Sequence, residues 1–371
     1  MSELFNLNPN DDQQMMIDVL HRFAIDDIKD SARQADEDAA LPDGYLQKTV
    51  DLGLNFMPIP ESLGGVGAGR TYVSNVLNIE QLATGDMSMA IAALTPLAVI
   101  NAVMDWGTDQ QRETVANSLA TDKFTPAALA LMEPGLGFNI DELATSAALQ
   151  EDGSYRLNGV KSMVAYGDKN ECLLVFAQVR SEESAEQKVQ GFIIPADLDG
   201  VNFEREDYMG LRALPLYKMT LNDVDVSATT RLGDDFDIAR LHQLSKIAIA
   251  ALAVGCCQSV LDYVVPYVNE RVAFGEPIAN RQGVAFMVAD MATEIEALRL
   301  MVYRAAAQAQ QGLDVSRSAY LVHRQAIKYG MKVGTDGVQL LGGHGFTREY
   351  PVEMWYRNLR ALSTLDGMLI V

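Results

Sequence analysis

The chain has 371 residues, 49% hydrophobic and 21% charged, enough apolar material for one large core or two to three ordinary domains. A formal charge of −21 speaks against nucleic acid or an anionic membrane as partner, since both would repel this surface. Three cysteines, Cys172, Cys256 and Cys257, form no C-x-x-C pair, so neither a disulfide framework nor a metal site is expected.

The opening residues, MSELFNLNPNDDQQMM, have no basic stretch followed by an apolar one, so no secretory leader is expected. No apolar run reaches the roughly 18 residues of a membrane span. The longest, near Ile247–Cys257, reads as a buried helix, and a soluble, cytoplasmic protein is expected.

The first third reads as helix after helix. Met15, Val19, Phe23 and Ile28 recur at helical spacing within 11–39, behind an acidic start that suits the helix dipole. Leu41-Pro42-Asp43 breaks the pattern, a helix restarts over 45–52, and PIPESLGGVGAG reads as a loop. Helices follow over 72–84 and 87–106, the second almost wholly apolar and so central.

The period then changes. SYRLNGVKSMVAYG, CLLVFAQVR, VQGFIIPAD, VNFERED and YKMTLNDVDV are short runs rich in β-formers. Asp152-Gly153, Asn158-Gly159 and Asp199-Gly200 read as turns between them, at sandwich or barrel spacing, and RSEESAEQK as a solvated loop. From Asp237 helical spacing returns over 241–270, 282–311 and 315–341, which reads as a bundle. The expected division is a helical domain over 1–127, a β domain over 128–236 and a helical bundle over 237–371.

Three stretches carry chemistry. EPGLGFN, from Glu133, offers Gly135 and Gly137 for close backbone approach to a flat ligand; alone it reads equally as a linker. ERVAFGEPIANRQ ends one helix and opens the next, with Arg271 and Arg281 around the turn, an arrangement that can hold a pyrophosphate or serve as a plain helical hairpin. QLLGGHG, from Gln339, permits ligand approach or a C-cap turn.

Together these stretches resemble the acyl-CoA dehydrogenase family over nearly the whole chain. The likeness lies in Met132-Glu133-Pro134-Gly135, in Arg271, Phe274-Gly275, Ile278 and Gln282, and in Gln339, Gly342-Gly343 and Pro351-Val352-Glu353. The resemblance implies an α+β fold: a helical N-terminal domain, a central β domain and a C-terminal four-helix bundle. It implies FAD, its ADP half held across a subunit interface by Arg271, Phe274, Ile278, Gln282, Gln339, Gly342 and Gly343. The flavin would lie beside Met132, Gly137, Met163 and Ala165. It further implies α,β-dehydrogenation of an acyl-CoA in fatty acid metabolism, an electron-transfer flavoprotein as acceptor, and a homo- or hetero-oligomer, a dimer or homotetramer.

Several positions depart from the family pattern. The base, commonly Glu in a Glu-Gly-Thr step, is Asp366 in Asp366-Gly367-Met368, shorter by one methylene. A second branch keeps its carboxylate where Ser245 stands here, so Asp366 is the catalytic candidate. The family's Trp-x-Thr is Met163-Val164-Ala165, and hydroxyl positions are filled by Met132, Phe138 and Met368. Two other readings follow: a non-catalytic subunit lending its ADP-binding residues to a paralogue, and a nitroalkane oxidase-like flavoenzyme with Asp366 as base. Lys246 stands where relatives often carry Arg near the base; Arg212 and Glu353 read as structural contacts; Asp262 and Tyr263 read as acyl-tunnel lining; His344 receives no role.

Overall fold

Asn10 starts the first helix: its side chain accepts from the Gln13 N–H while the Gln13 side chain returns to the Asn10 N–H. In this computed structural model, which describes residues 9–66, 71–135, 137–180 and 188–371, α1 (Asp11–Phe23) runs through a π-helical stretch, Ala24–Lys29, into α2 (Asp30–Asp38). Parts of two expected loops, 67–69 of PIPESLGGVGAG and 181–187 of RSEESAEQK, lie outside the described residues. The helices α3 (Tyr45–Asp51), α4 (Tyr72–Gly85), α5 (Met87–Trp106) and α6 (Asp109–Leu119) complete the first part. The polar α6 was not anticipated, although Thr108 and Gln111 form a capping box that marks its start.

The seven strands of the middle part are β1 (Ala127–Ala130), β2 (Ser146–Leu149), β3 (Tyr155–Ala165), β4 (Cys172–Arg180), β5 (Lys188–Ile194), β6 (Val201–Glu206) and β7 (Leu216–Val226). They form one hydrogen-bonded mixed sheet, order β1-β4-β2-β3-β7-β6, with β5 on β4. β1 and β2 both run parallel to β4, at successive stretches of it. Asn158-Gly159 is not a turn, as expected from its sequence, but an irregularity inside β3. Gly159 has φ 153°, and a Cβ there would stand 2.6 Å from the Thr145 Cα, so the close approach of the Thr145 backbone explains the glycine.

The last part contains α7 (Ile238–Glu270), α8 (Gln282–Gln310), α9 (Ser316–Leu341) and α10 (Val352–Arg360), which packs on α9 and α7. A small hairpin, β8 (Val272–Ala273) with β9 (Glu276–Pro277), joins α7 to α8. Both α5 and α7 are long and apolar enough to cross a membrane, but most of each is buried inside the protein, as core helices are.

Polar contacts tie the three parts together on α10. Asn358 donates to Asp86 at 3.0 Å and accepts from the Leu211 N–H at 2.8 Å. Arg357 bonds both Asp36 oxygens, at 2.8 and 2.6 Å, and also Glu353 and the Met209 carbonyl. Glu353 is the expected salt-bridge former, but it reaches beyond the bundle to Arg33 of α2 at 2.6 Å. Arg212 donates to the Asp36 carbonyl at 2.8 Å, the structural contact anticipated for it. A Cβ on Gly210 would meet the Arg357 carbonyl at 2.2 Å, so the β-domain turn docks on α10 by direct backbone approach.

Candidate active site

After α10 a 3-10 turn, Ala361–Thr364, delivers Asp366 into a half-buried position. Gly367 holds φ 75°, and a Cβ there would lie 2.3 Å from Leu131, so this step must be glycine. Its N–H donates to Ser245 Oγ on α7 at 2.9 Å. The two positions at which the resemblance offered a base, Asp366 and Ser245, thus meet in space.

Two histidines that sequence reasoning missed flank Asp366. His242 Nε2 stands 3.5 Å, and His323 Nε2 3.7 Å, from Asp366 Oδ1. Helical spacing gave a signal for one of them: His242 precedes Ser245 by three residues and Lys246 by four, which puts all three on one face of α7. Burial raises the Asp366 pKa, but the His242 imidazole, then His323 and the Lys246 ammonium, outweigh it and hold the carboxyl below its usual range. Burial lowers the His323 pKa; Asp366 opposes this, and Lys246, His242 and Arg324 add to it. The group is therefore a half-buried carboxylate beside two imidazoles, able to take up a proton from a neighbouring carbon acid.

Beyond Asp366 the residues Met368, Leu369, Ile370 and Val371 are buried. Leu369 and Ile370 pack toward Leu94 and Leu97 of α5 and leave a cavity of about 20 Å³, lined also by Asn75, Asn78 and Asn101. Asp262 and Tyr263 are not near this site. They lie some 25 Å further along α7 from Ser245, with Tyr263 edge-on against Trp355 and Asp262 exposed beside Gln258.

Five of the seven residues expected to hold the ADP half come together. Arg271, Ile278, Gln339, Gly342 and Gly343 line one cleft of about 400 Å³, with Tyr267 and His344. Cβ atoms on Gly342 and Gly343 would meet nothing within 4 Å, so the glycine step is an open cradle. The Arg271 guanidinium makes no ion pair among the described residues, whereas Arg281 is paired with Glu276 at 2.9 Å. His344 Nδ1 is held by the Tyr267 hydroxyl at 2.8 Å, and its ring stacks on Tyr350. Gln282 opens α8, outside the lining. Phe274, also outside it, has φ 56° and Gly275 φ 87°, so a bulky residue is forced into the left-handed region. Its side chain is 96% exposed.

The ring-side positions are also brought together, through the Ser162 N–H to Met132 carbonyl bond at 2.9 Å. Their hydrogen-bonding groups are engaged within the chain. The Met163 N–H donates to Glu206 at 2.8 Å, and the Ser162 hydroxyl bonds the same carboxylate. Ala165 is 1% exposed and its carbonyl accepts from Asn170. Gly137 is exposed on the loop that follows Glu133. An open glycine step beside a guanidinium unpaired among the described residues suits a dinucleotide phosphate such as that of FAD, whereas Met163 offers an amide already taken by Glu206.

Comparison with known proteins decides the family. Models of the acyl-CoA dehydrogenase N-terminal, middle and C-terminal domains match residues 10–123, 128–224 and 238–369. An acyl-CoA dehydrogenase of Bacillus subtilis (strain 168) is 30% identical over 362 residues, covering 96% of this chain and 94% of that protein. This chain belongs to the acyl-CoA dehydrogenase family. The structure of butyryl-CoA dehydrogenase from Megasphaera elsdenii matches with a TM-score of 0.89 at 29% identity, over 98% of this chain and 96% of that one. A chain described under the electron transferring flavoprotein of Acidaminococcus fermentans matches with a TM-score of 0.87 at 29% identity, over 98% and 96%. The acyl-CoA dehydrogenase family consists of flavoenzyme oxidoreductases that use FAD, and this chain is an oxidoreductase of that kind. The readings as a non-catalytic subunit or a nitroalkane oxidase gain no support from these relatives.

Proposed function

We propose that this protein dehydrogenates a short acyl-CoA thioester at its α and β carbons, with Asp366 removing the α proton. The observation that carries the reading is the seat of Asp366: a carboxylate kept ionised beside two imidazoles, on a loop pinned to Ser245. A carboxylate that is already ionised is ready to accept a proton from a carbon acid held against it. The likeness to the butyryl-CoA enzyme supports a short acyl group.

Arg271, Ile278, Gln339, Gly342 and Gly343 would hold the ADP half of FAD, with Phe274 and Gln282 beside them. Met132, Gly137, Met163 and Ala165 would border its ring. When bound, FAD supplies the two-electron acceptor for the β hydrogen. α7 has 33 residues, and Ser245 and Arg271 are separated by about 39 Å of it. That is further than an extended dinucleotide reaches, so the cleft and the base of one chain serve different FAD molecules. A second copy would complete each site, which supports a dimer or homotetramer. Exposed Phe274, Phe286 and Phe346 provide apolar surface for such contacts. An electron-transferring flavoprotein as acceptor is supported by the Acidaminococcus likeness, and a cytoplasmic location by the bacterial relatives.

The test is the visible spectrum of purified protein on adding butyryl-CoA. Bleaching of flavin absorbance in the native protein, and its loss in Asp366→Asn, is the expected result. Unchanged bleaching in the variant would remove Asp366 as the base.

A further inference from the structure

Asp366 Oδ1, His242 Nε2 and His323 Nε2 are three buried polar atoms, each without a hydrogen-bond partner. They face one another across 3.5 and 3.7 Å, on three different elements. His323 is only 7% exposed. Orphaned polar atoms in such a place cost stability, so their convergence calls for something shared between them. Water-filled space is not needed: a single proton on any one of the three, with a small ring shift, gives two of them a partner at once.

Resting on the assignment of Asp366 as base, we propose that His242 and His323 are positioning residues which hold its carboxylate through Oδ1 and take over the proton it removes from substrate. The α C–H bond breaks and an O–H bond forms on Asp366. That O–H bond then breaks as an N–H bond forms on imidazole Nε2, leaving carboxylate and imidazolium. No electrons move in the second transfer, and the pair from the C–H bond stays with the substrate until its oxidation. Both histidines address Oδ1, which leaves Oδ2 for the acyl group. The Asp366 carboxyl, held below the usual range for its type, is a stronger acid than an imidazolium, so the proton passes from the carboxyl to Nε2. The charged groups facing the triad are Lys246 on α7 and Arg324 on α9; both disfavour a lasting imidazolium and so favour release of the proton after turnover. This arrangement compensates for a short side chain: the base is fixed from behind instead of reaching forward.

The test uses the full-length protein with 15N-labelled histidine. It has four imidazoles; His21, against Gln81, and His344, against Tyr267, are internal references. In Asp366→Asn the titration midpoint of His323 is expected to fall, because Asp366 is the neighbour that raises it. In His323→Gln turnover is expected to fall about tenfold at unchanged KM, and the acid limb of kcat/KM to move to higher pH. An unmoved His323 midpoint together with lost turnover in Asp366→Asn would overturn the relay and leave the base standing. Retained turnover in that variant would overturn base and relay together. Should Asp366→Asn not fold, an unmoved acid limb in His323→Gln overturns the proposal by itself.

Discussion

Lys161 Nζ lies 2.9 Å from Glu133 Oε1, and the lysine side chain is 0% exposed. The Glu133 carboxylate also accepts from the N–H groups of Ala144 and Thr145, at 2.7 and 2.8 Å, while the ammonium bonds the Leu131 carbonyl. The acidic residue of the E-P-G stretch is therefore a clasp. It fastens the loop bearing Gly137 to the sheet, next to Leu131, whose side chain packs on Gly367.

Removing one partner of such a pair leaves a buried charge alone. Glu133→Gln is expected to cost about 3 to 5 kcal/mol, read by urea unfolding. Burial raises the Glu133 pKa, but Lys161 and Thr145 outweigh it and the folded value lies below 4.5. The stabilisation it brings is thus complete above that pH and lost as pH falls through the folded value. Burial pushes Lys161 down from 10.5 to about 8 despite Glu133. Its contribution therefore improves as pH climbs from about 8 to 10.5, where the unfolded chain holds a proton that the folded one has shed. An unfolding series in pH that shows no fall on the acid side would contradict this account of the clasp.

Ser245→Ala takes the partner from the Gly367 N–H. A loss of about 1 to 3 kcal/mol in stability is expected. Turnover should fall while KM for the acyl-CoA holds, because the base loses its tether and the thioester loses none of its contacts. A raised KM at normal turnover would show that this hydroxyl serves the substrate.

Gly343→Ala separates ligand from scaffold. A methyl group there meets no protein atom, so the melting temperature should stay within about 1 °C of native, as for other surface changes without a packing role. Flavin content after gel filtration should drop, since the methyl fills space left for the dinucleotide. Full flavin content would place the cofactor elsewhere.

Glu206→Ala frees the Met163 N–H and removes a carboxylate beside the ring-side positions. One regained hydrogen bond is worth about 0.5 to 1.5 kcal/mol, so FAD should bind about 2- to 10-fold more tightly in a titration followed by flavin fluorescence. Weaker binding would make Glu206 part of the cofactor's own support.

The helices and most strands were legible because period and turn chemistry agree along the chain. The polar α6 was missed because its apolar face is only Val115, Ala116 and Leu119. Asn158-Gly159 misled because its glycine serves a neighbouring backbone instead of a bend. The strands were read at sandwich or barrel spacing, but their pairing order was not legible, since pairings such as β1 with β4 join residues that no local pattern relates. At the site, Asp366, the 271–282 turn and the 339–343 glycines could be read from short motifs. His242 and His323 could not, because they arrive from separate helices and gain meaning only beside Asp366. Glu206 is similar: nothing in VNFERED announces that the second of its three carboxylates will cap an amide 43 residues away.

The amide of Asn358 occupies both of its hydrogen-bonding ends on other parts of the chain, one with Asp86 and one with Leu211. Loosening any of the three parts would strand a polar group in the interior, so heat should melt them in one step instead of in sequence. A fragment carrying the sheet alone would expose the unsatisfied Leu211 amide and the bare docking turn at Gly210, and such a fragment is expected to aggregate on expression. Anyone dissecting this protein by truncation should keep α10 with every piece.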